Sequence, residues 1–188
     1  MKKDIESKAS KKKILSLNIF MIFLLFLLTL SVDKINNKGI FLIYISTWIL
    51  ILHIWLGAYY IVKYLKAKTD ILNVLLDIVP LVCMFFSVLN FNKLEIWSNL
   101  FAILFATAII KYARVYLSGG DKRIREYTLK KIKNEVVTIP LFILLAILAY
   151  IFEMNGTMMI LLQSMTLASQ VFFAVWLIYV KKVYQIFK

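Results

Sequence analysis

Six apolar runs divide this chain, at about 14–32, 39–62, 70–89, 96–117, 136–152 and 157–180, each near or above the roughly 17–25 residues that cross a bilayer as a helix. Hydrocarbon offers no hydrogen-bond partners, so backbone groups inside such runs must pair within their own helix. The expected fold class is therefore all-α: a polytopic integral membrane bundle of six transmembrane helices. Composition agrees, because 62% of the 188 residues are hydrophobic, well above the roughly 45–50% of a soluble domain. With five Gly, two Pro and no long polar stretch, there is no room for a separate soluble domain. A single transmembrane domain over 14–188, preceded by a basic cytoplasmic segment at 1–13, is the expected organisation.

The cations test that count independently, since cytoplasmic loops hold the excess of Lys and Arg. Of the 23 Lys and Arg residues, all but Lys34, Lys38 and Lys93 fall before the first run, after the second, around the fourth-to-fifth link, or after the sixth. The alternation has no exception. It predicts six spans with both termini inside, in the inner or plasma membrane of the cell. The first run, "KKKILSLNIFMIFLLFLLTL", has the rival reading of a cleaved signal peptide. It is longer than the roughly 7–15 residues of a signal core and no A-x-A-like site follows, so it is expected to remain as the first span. The net charge of +13 would point to nucleic acid in a soluble chain. Here the cations flank apolar runs, and the expected partner is a bilayer with anionic headgroups rather than nucleic acid.

Between the fourth and fifth runs lies "SGGDKRIREYTLKKIKNE". Gly119 and Gly120 suit the stop of one helix and Asp121 the N-cap of the next. Over about 121–135, Ile124, Tyr127, Thr128, Leu129 and Ile132 share one side, whereas Lys122, Arg125, Lys130 and Lys133 point elsewhere. With Arg123 and Lys131 added, a short basic interfacial helix in the headgroup layer is expected. A solvated loop helix is the alternative.

The third run, "DILNVLLDIVPLVCMFFSVL", carries Asp77 two turns inside it. A lone carboxylate in hydrocarbon is costly enough to demand a partner. Asp70, Asn73 and Asp77 share a helical face, and Asp77 lies roughly 10 Å in from the inner end. The antiparallel fourth run places Lys111 and Arg114 at matching depth, with Arg114 the better candidate because its guanidinium can grip a carboxylate with two bonds. Every other acid falls at or outside a helix end, so Asp77 reads as the sole carboxylate inside the membrane. Ser98, Ala102 and Ala106 repeat at small-residue spacing on the fourth helix, where they would allow close approach to the third. Pro80 should kink the third helix one turn beyond Asp77, and a kink there would open a small polar pocket.

His53, midway along the second run, is either a polar or proton site or a hydrogen-bonded packing residue. Cys83 is the one cysteine and reads as a small core residue. No catalytic motif occurs: there is no G-x-S-x-G, H-E-x-x-H, paired C-x-x-C, phosphate loop or nucleotide-binding glycine pattern. The chain is not expected to be an enzyme, nor to hold a metal or cofactor.

Six spans, a third helix of the form "NVLLDIVPLV" and a fourth ending "IIKYARVYLSGG" before a basic amphipathic linker resemble the voltage-gated cation channel superfamily. The resemblance implies that Asn73, Asp77 and Pro80 stand where that family's third helix carries such residues, and that Lys111 and Arg114 stand at the inner end of a ladder of cations. The outer rungs, Ala108, Phe105 and Ala102, are uncharged, Asn73 to Asp77 is one residue longer than the family spacing, and the second helix lacks the family's acid. Two residual cations couple only a few kcal/mol to a membrane potential, at about 2.3 kcal/mol per charge per 100 mV, so steep voltage sensing is not expected. The expected function is an ion-channel-like or membrane-permeabilising protein acting as a homo-oligomer. The alternatives are a noncatalytic docking protein whose basic inner face holds a cytoplasmic partner, similar in size to small accessory proteins of bacterial antiviral systems, and a secondary transporter.

Overall fold

The structure, a computed structural model, describes residues 2–64, 71–118, 122–152 and 157–175. Among the described residues six helices follow one another: α1 (Lys2–Leu30), α2 (Lys38–Tyr64), α3 (Ile71–Leu89), α4 (Leu94–Leu117), α5 (Lys122–Ile151) and α6 (Thr157–Val175), with one 3-10 turn at Val32–Lys34. No strand occurs among the described residues. Among the described residues five helices are long and apolar enough to cross a membrane, over Lys12–Leu30, Lys38–Tyr59, Ile71–Leu89, Leu94–Leu117 and Lys122–Ile151. Asp70, the expected cap at Gly119, Gly120 and Asp121, and the end of the sixth run at 176–180 lie outside the described residues.

Local chemistry sets the outer turns. Asn37 accepts the amide of Ile40 on its side-chain oxygen at 2.9 Å, an N-cap for α2. Between α3 and α4 the chain reverses over a tight bend closed by Lys93 N–H donating to the Asn90 carbonyl at 2.9 Å. Lys34 donates to the Leu89 carbonyl at 3.1 Å, satisfying an orphan acceptor at the end of α3 and tying the first loop to the third helix.

α4 packs most extensively along α5 and next along α3; α2 packs against α1 and α6, and α1 against α3. The half of the bundle toward the Asn37 and Asn90–Lys93 turns holds much of the aromatic core. Trp97, Phe101, Phe105 and Phe142 form a ring cluster between α4 and α5, with centroids 4.9–6.3 Å apart. The Trp97 indole N–H also donates to the Thr47 hydroxyl at 2.8 Å, which joins α4 to α2 through a fully buried bond. Outward, Leu72, Leu75, Ile78, Val82 and Phe86 of α3 and Ile143, Leu144 and Ile147 of α5 stay exposed. So much contiguous apolar surface is untenable in water and matches acyl chains.

One expectation is corrected. The segment at 121–135 does not form a separate interfacial helix, because from Lys122 onward it is continuous with the fifth apolar run in a single 30-residue helix. No Gly or Pro interrupts 122–139, so the hydrogen-bond ladder continues where the charge ends. Its inner face is buried against the bundle at Tyr127, Thr128, Lys131 and Glu135.

Candidate functional site

Beyond the aromatic cluster lies a cavity of about 610 Å³, walled by α1, α2, α3, α4 and α5. Its size falls within the roughly 300–1,000 Å³ typical of ligand pockets. Each helix contributes from the end that the lysine pattern assigns to the cytoplasm. Counting along the helices sorts the wall into layers. Lys12, Lys13 and Ser16 of α1 and Lys131 of α5 stand toward the inner end, Asp77, Lys111 and Glu135 come next with His53 and Ile54 of α2 within reach of Lys131, and Phe20, Met21, Met84, Leu104 and Phe105 stand deepest.

Asp77 and Lys111 form an ion pair that joins α3 to α4. Lys111 is the more enclosed partner, with 14% of its side chain exposed against 50% for Asp77. The pair thus has its cation inside the wall and its carboxylate at the edge. Arg114, the partner favoured by its geometry, is half-buried one turn nearer the end of α4 and is not part of the cavity wall; neither is Asn73. Three residues along a helix differ by about 60° in direction, and of the two cations it is Lys111 that faces the cavity and meets Asp77. Pro80 lies on the wall one turn beyond Asp77, where its missing N–H leaves the Leu76 carbonyl, itself on the wall, without an intrahelical donor.

Asp77 is not the sole carboxylate committed to the interior. Glu135 is 4% exposed and Lys131 2% exposed, one turn apart on α5, and both face the cavity. Their spacing makes them neighbours on one helical face, and Lys131 is close enough for its charge to act on Glu135. Lys131 was expected among the solvated cations of an interfacial helix; burial removes it from that set. Lys122, Arg123, Arg125 and Lys133 remain exposed, and Lys130 bonds Glu126 at 2.7 Å on the surface. The legible signal for the buried pair was phase. Thr128, Glu135 and Phe142 recur at seven-residue spacing, so the face that packs through the apolar half already passes through the acid.

His53 also stands on the wall, and Lys131 acts on it electrostatically. Sequence placed no acid near it, whereas folding brings Glu135 into the same cavity. Among the described residues no three His, Cys, Asp or Glu side chains gather into a metal-binding group. Cys83 is buried in the core cluster. The arrangement can hold charge in a low-dielectric setting, with two carboxylates and three ammonium or imidazole groups facing one space below a rim of lysines.

No family model matches the chain, and no curated protein or solved structure matches it either.

Proposed function

We propose that this chain is a multi-pass protein of the inner or plasma membrane, with six spans and both termini inside, that acts as an ion-channel-like homo-oligomer. In this reading the Asp77–Lys111 pair controls entry from the cytoplasmic side. The observation that carries it is the pair's position: it bridges two adjacent helices at the wall of a cavity that also holds Lys131, Glu135 and His53. Ionisable groups inside a membrane are expensive and are tolerated where they line a water-filled space or pair with one another. A permeating ion needs both features, polar walls to replace hydration and a pair whose separation alters the local field.

Association of copies supplies what one chain lacks. The outer half of each bundle is filled by Trp97, Phe101, Phe105 and Phe142, so a complete path requires a neighbouring copy or a rearrangement of this core. The resemblance to voltage-gated cation channels supports the reading at Asp77 and Lys111, and not at the linker, which is continuous with α5.

Ion flux from liposomes containing the purified chain tests the proposal. Wild type is expected to conduct, and Asp77→Asn to change the rate or its dependence on potential while the chain stays folded by size exclusion. Absence of flux under every condition would replace this reading with a docking role for the exposed cations Lys122, Arg123, Arg125 and Lys133. Solute uptake strictly coupled to an ion gradient would instead favour a transporter.

A further inference from the structure

The cavity has a second property that ion entry does not use: its charge and its apolar surface are segregated along the membrane normal. Phe20 lies seven residues beyond Lys13 on α1, Met84 seven beyond Asp77 on α3, and Phe105 six before Lys111 on α4. At about 1.5 Å per residue, an apolar chamber therefore extends roughly 10 Å past the charged collar. The residues of that deep end, Phe20, Met21, Met84, Leu104 and Phe105, offer no polar side chain. A stable buried water needs two to four polar partners, so ordered water is a poor filling for this end. An empty chamber is poor as well, because lining atoms lose their contacts outright.

The collar has an excess of cations. Lys111 already has Asp77, and Lys131 stands one turn from Glu135. Lys12 and Lys13 are exposed on the wall and make no ion pair among the described residues. Lys13 is close enough for its charge to act on Lys111, so a like charge faces the mouth rather than a compensating one. This leaves a place for an anion at headgroup depth, directly inward of a dry apolar chamber.

We infer that the cavity is a binding site for a single-chain anionic amphiphile, with its carboxylate or phosphate head at Lys12 and Lys13 and its acyl chain among Phe20, Met21, Met84 and Phe105. Both head chemistries satisfy the same two ammonium groups. The tail exchanges one apolar setting for another on leaving the inner leaflet, so recognition rests on the head and on the shape of the chamber. The inference goes beyond ion entry and holds whether or not the chain conducts.

A photoactivatable fatty acid, offered to the full chain in nanodiscs of neutral phosphatidylcholine, tests it. Crosslinks are expected on the α1, α3 and α4 peptides that line the chamber. Lysophosphatidate should compete with the probe if phosphate heads are accepted, and unlabelled fatty acid if carboxylates are; monoacylglycerol and inorganic phosphate should not compete. Lys12→Glu combined with Lys13→Glu is expected to weaken labelling about tenfold, the effect of roughly 1.4 kcal/mol from two rim charges. Ala108→Trp, on the cavity wall one turn from Lys111, blocks the passage from collar to chamber and is expected to abolish it; if that variant does not fold, the lysine double variant decides alone. Equal competition by monoacylglycerol, unchanged labelling in the lysine double variant, or unchanged labelling in a folded Ala108→Trp protein would overturn the inference. Labelling without flux leaves the inference standing and flux without labelling overturns it, which separates this test from that of ion flux.

Discussion

A single carboxylate in an apolar run announces itself because nothing nearby in sequence can neutralise it, and Asp77 was legible for that reason. Its choice of cation was not. Lys111 and Arg114 lie at similar depth on α4 and differ by a small rotation, which is set by how the Trp97, Phe101 and Phe105 rings seat against Phe142 on the neighbouring helix. Exchanging the charges therefore discriminates. Asp77→Lys with Lys111→Asp should recover most of the thermal stability lost by either single change, with a coupling of about 0.5–3 kcal/mol. The corresponding exchange of Asp77 with Arg114 should recover little. Melting of the four single and two double variants in detergent measures both cycles. Glu135 escaped notice for a complementary reason: it stands where charge gives way to apolar residues, and such a position looks like a helix end until its phase is followed into Phe142 and Leu145.

Among the helices, the ends of the apolar runs near 39, 89 and 96 fall at real boundaries, and the one near 136 does not. Asn37 and the bend at Asn90–Lys93 mark real ends. The change of composition near Val136 marks nothing in the backbone, since helical propensity persists on both sides of it. A spin-label pair at Arg125 and Leu144, both exposed, reports the difference. One continuous helix places them about 28 Å apart, whereas a headgroup-lying segment turned at a right angle to its span places them at about 20 Å. The continuous form is also about 45 Å long, against about 30 Å of hydrocarbon, so the basic first turns of α5 project past the lipid core while remaining rigidly joined to Glu135.

For the molecule as a whole, the apolar runs made the order of the helices readable without any knowledge of packing, and the lysine alternation supplies an expected direction. Of the cavity only a small pocket beside Pro80 was readable; its extent was not, because its wall takes residues from five helices whose rotations are fixed only when all are assembled. The direction can be measured. With Cys83→Ser as background, Asn36→Cys and Lys93→Cys should react with a membrane-impermeant maleimide in intact cells, and Arg123→Cys only after permeabilisation. Labelling of Arg123→Cys from outside would invert the cavity's mouth and with it both functional proposals.

The bond from Lys34 to the end of α3 fastens three helices at one tip, and the aromatic cluster stiffens that same end. Any rearrangement then has its pivot there, as in forceps, and displacement grows with distance from the pivot. A tilt of only about 5° along α4, some 36 Å long, carries its far tip by about 3 Å. That is enough to part an ammonium from a carboxylate near the free ends, so leverage, rather than any large refolding, sets how easily the grip at Lys111 is released.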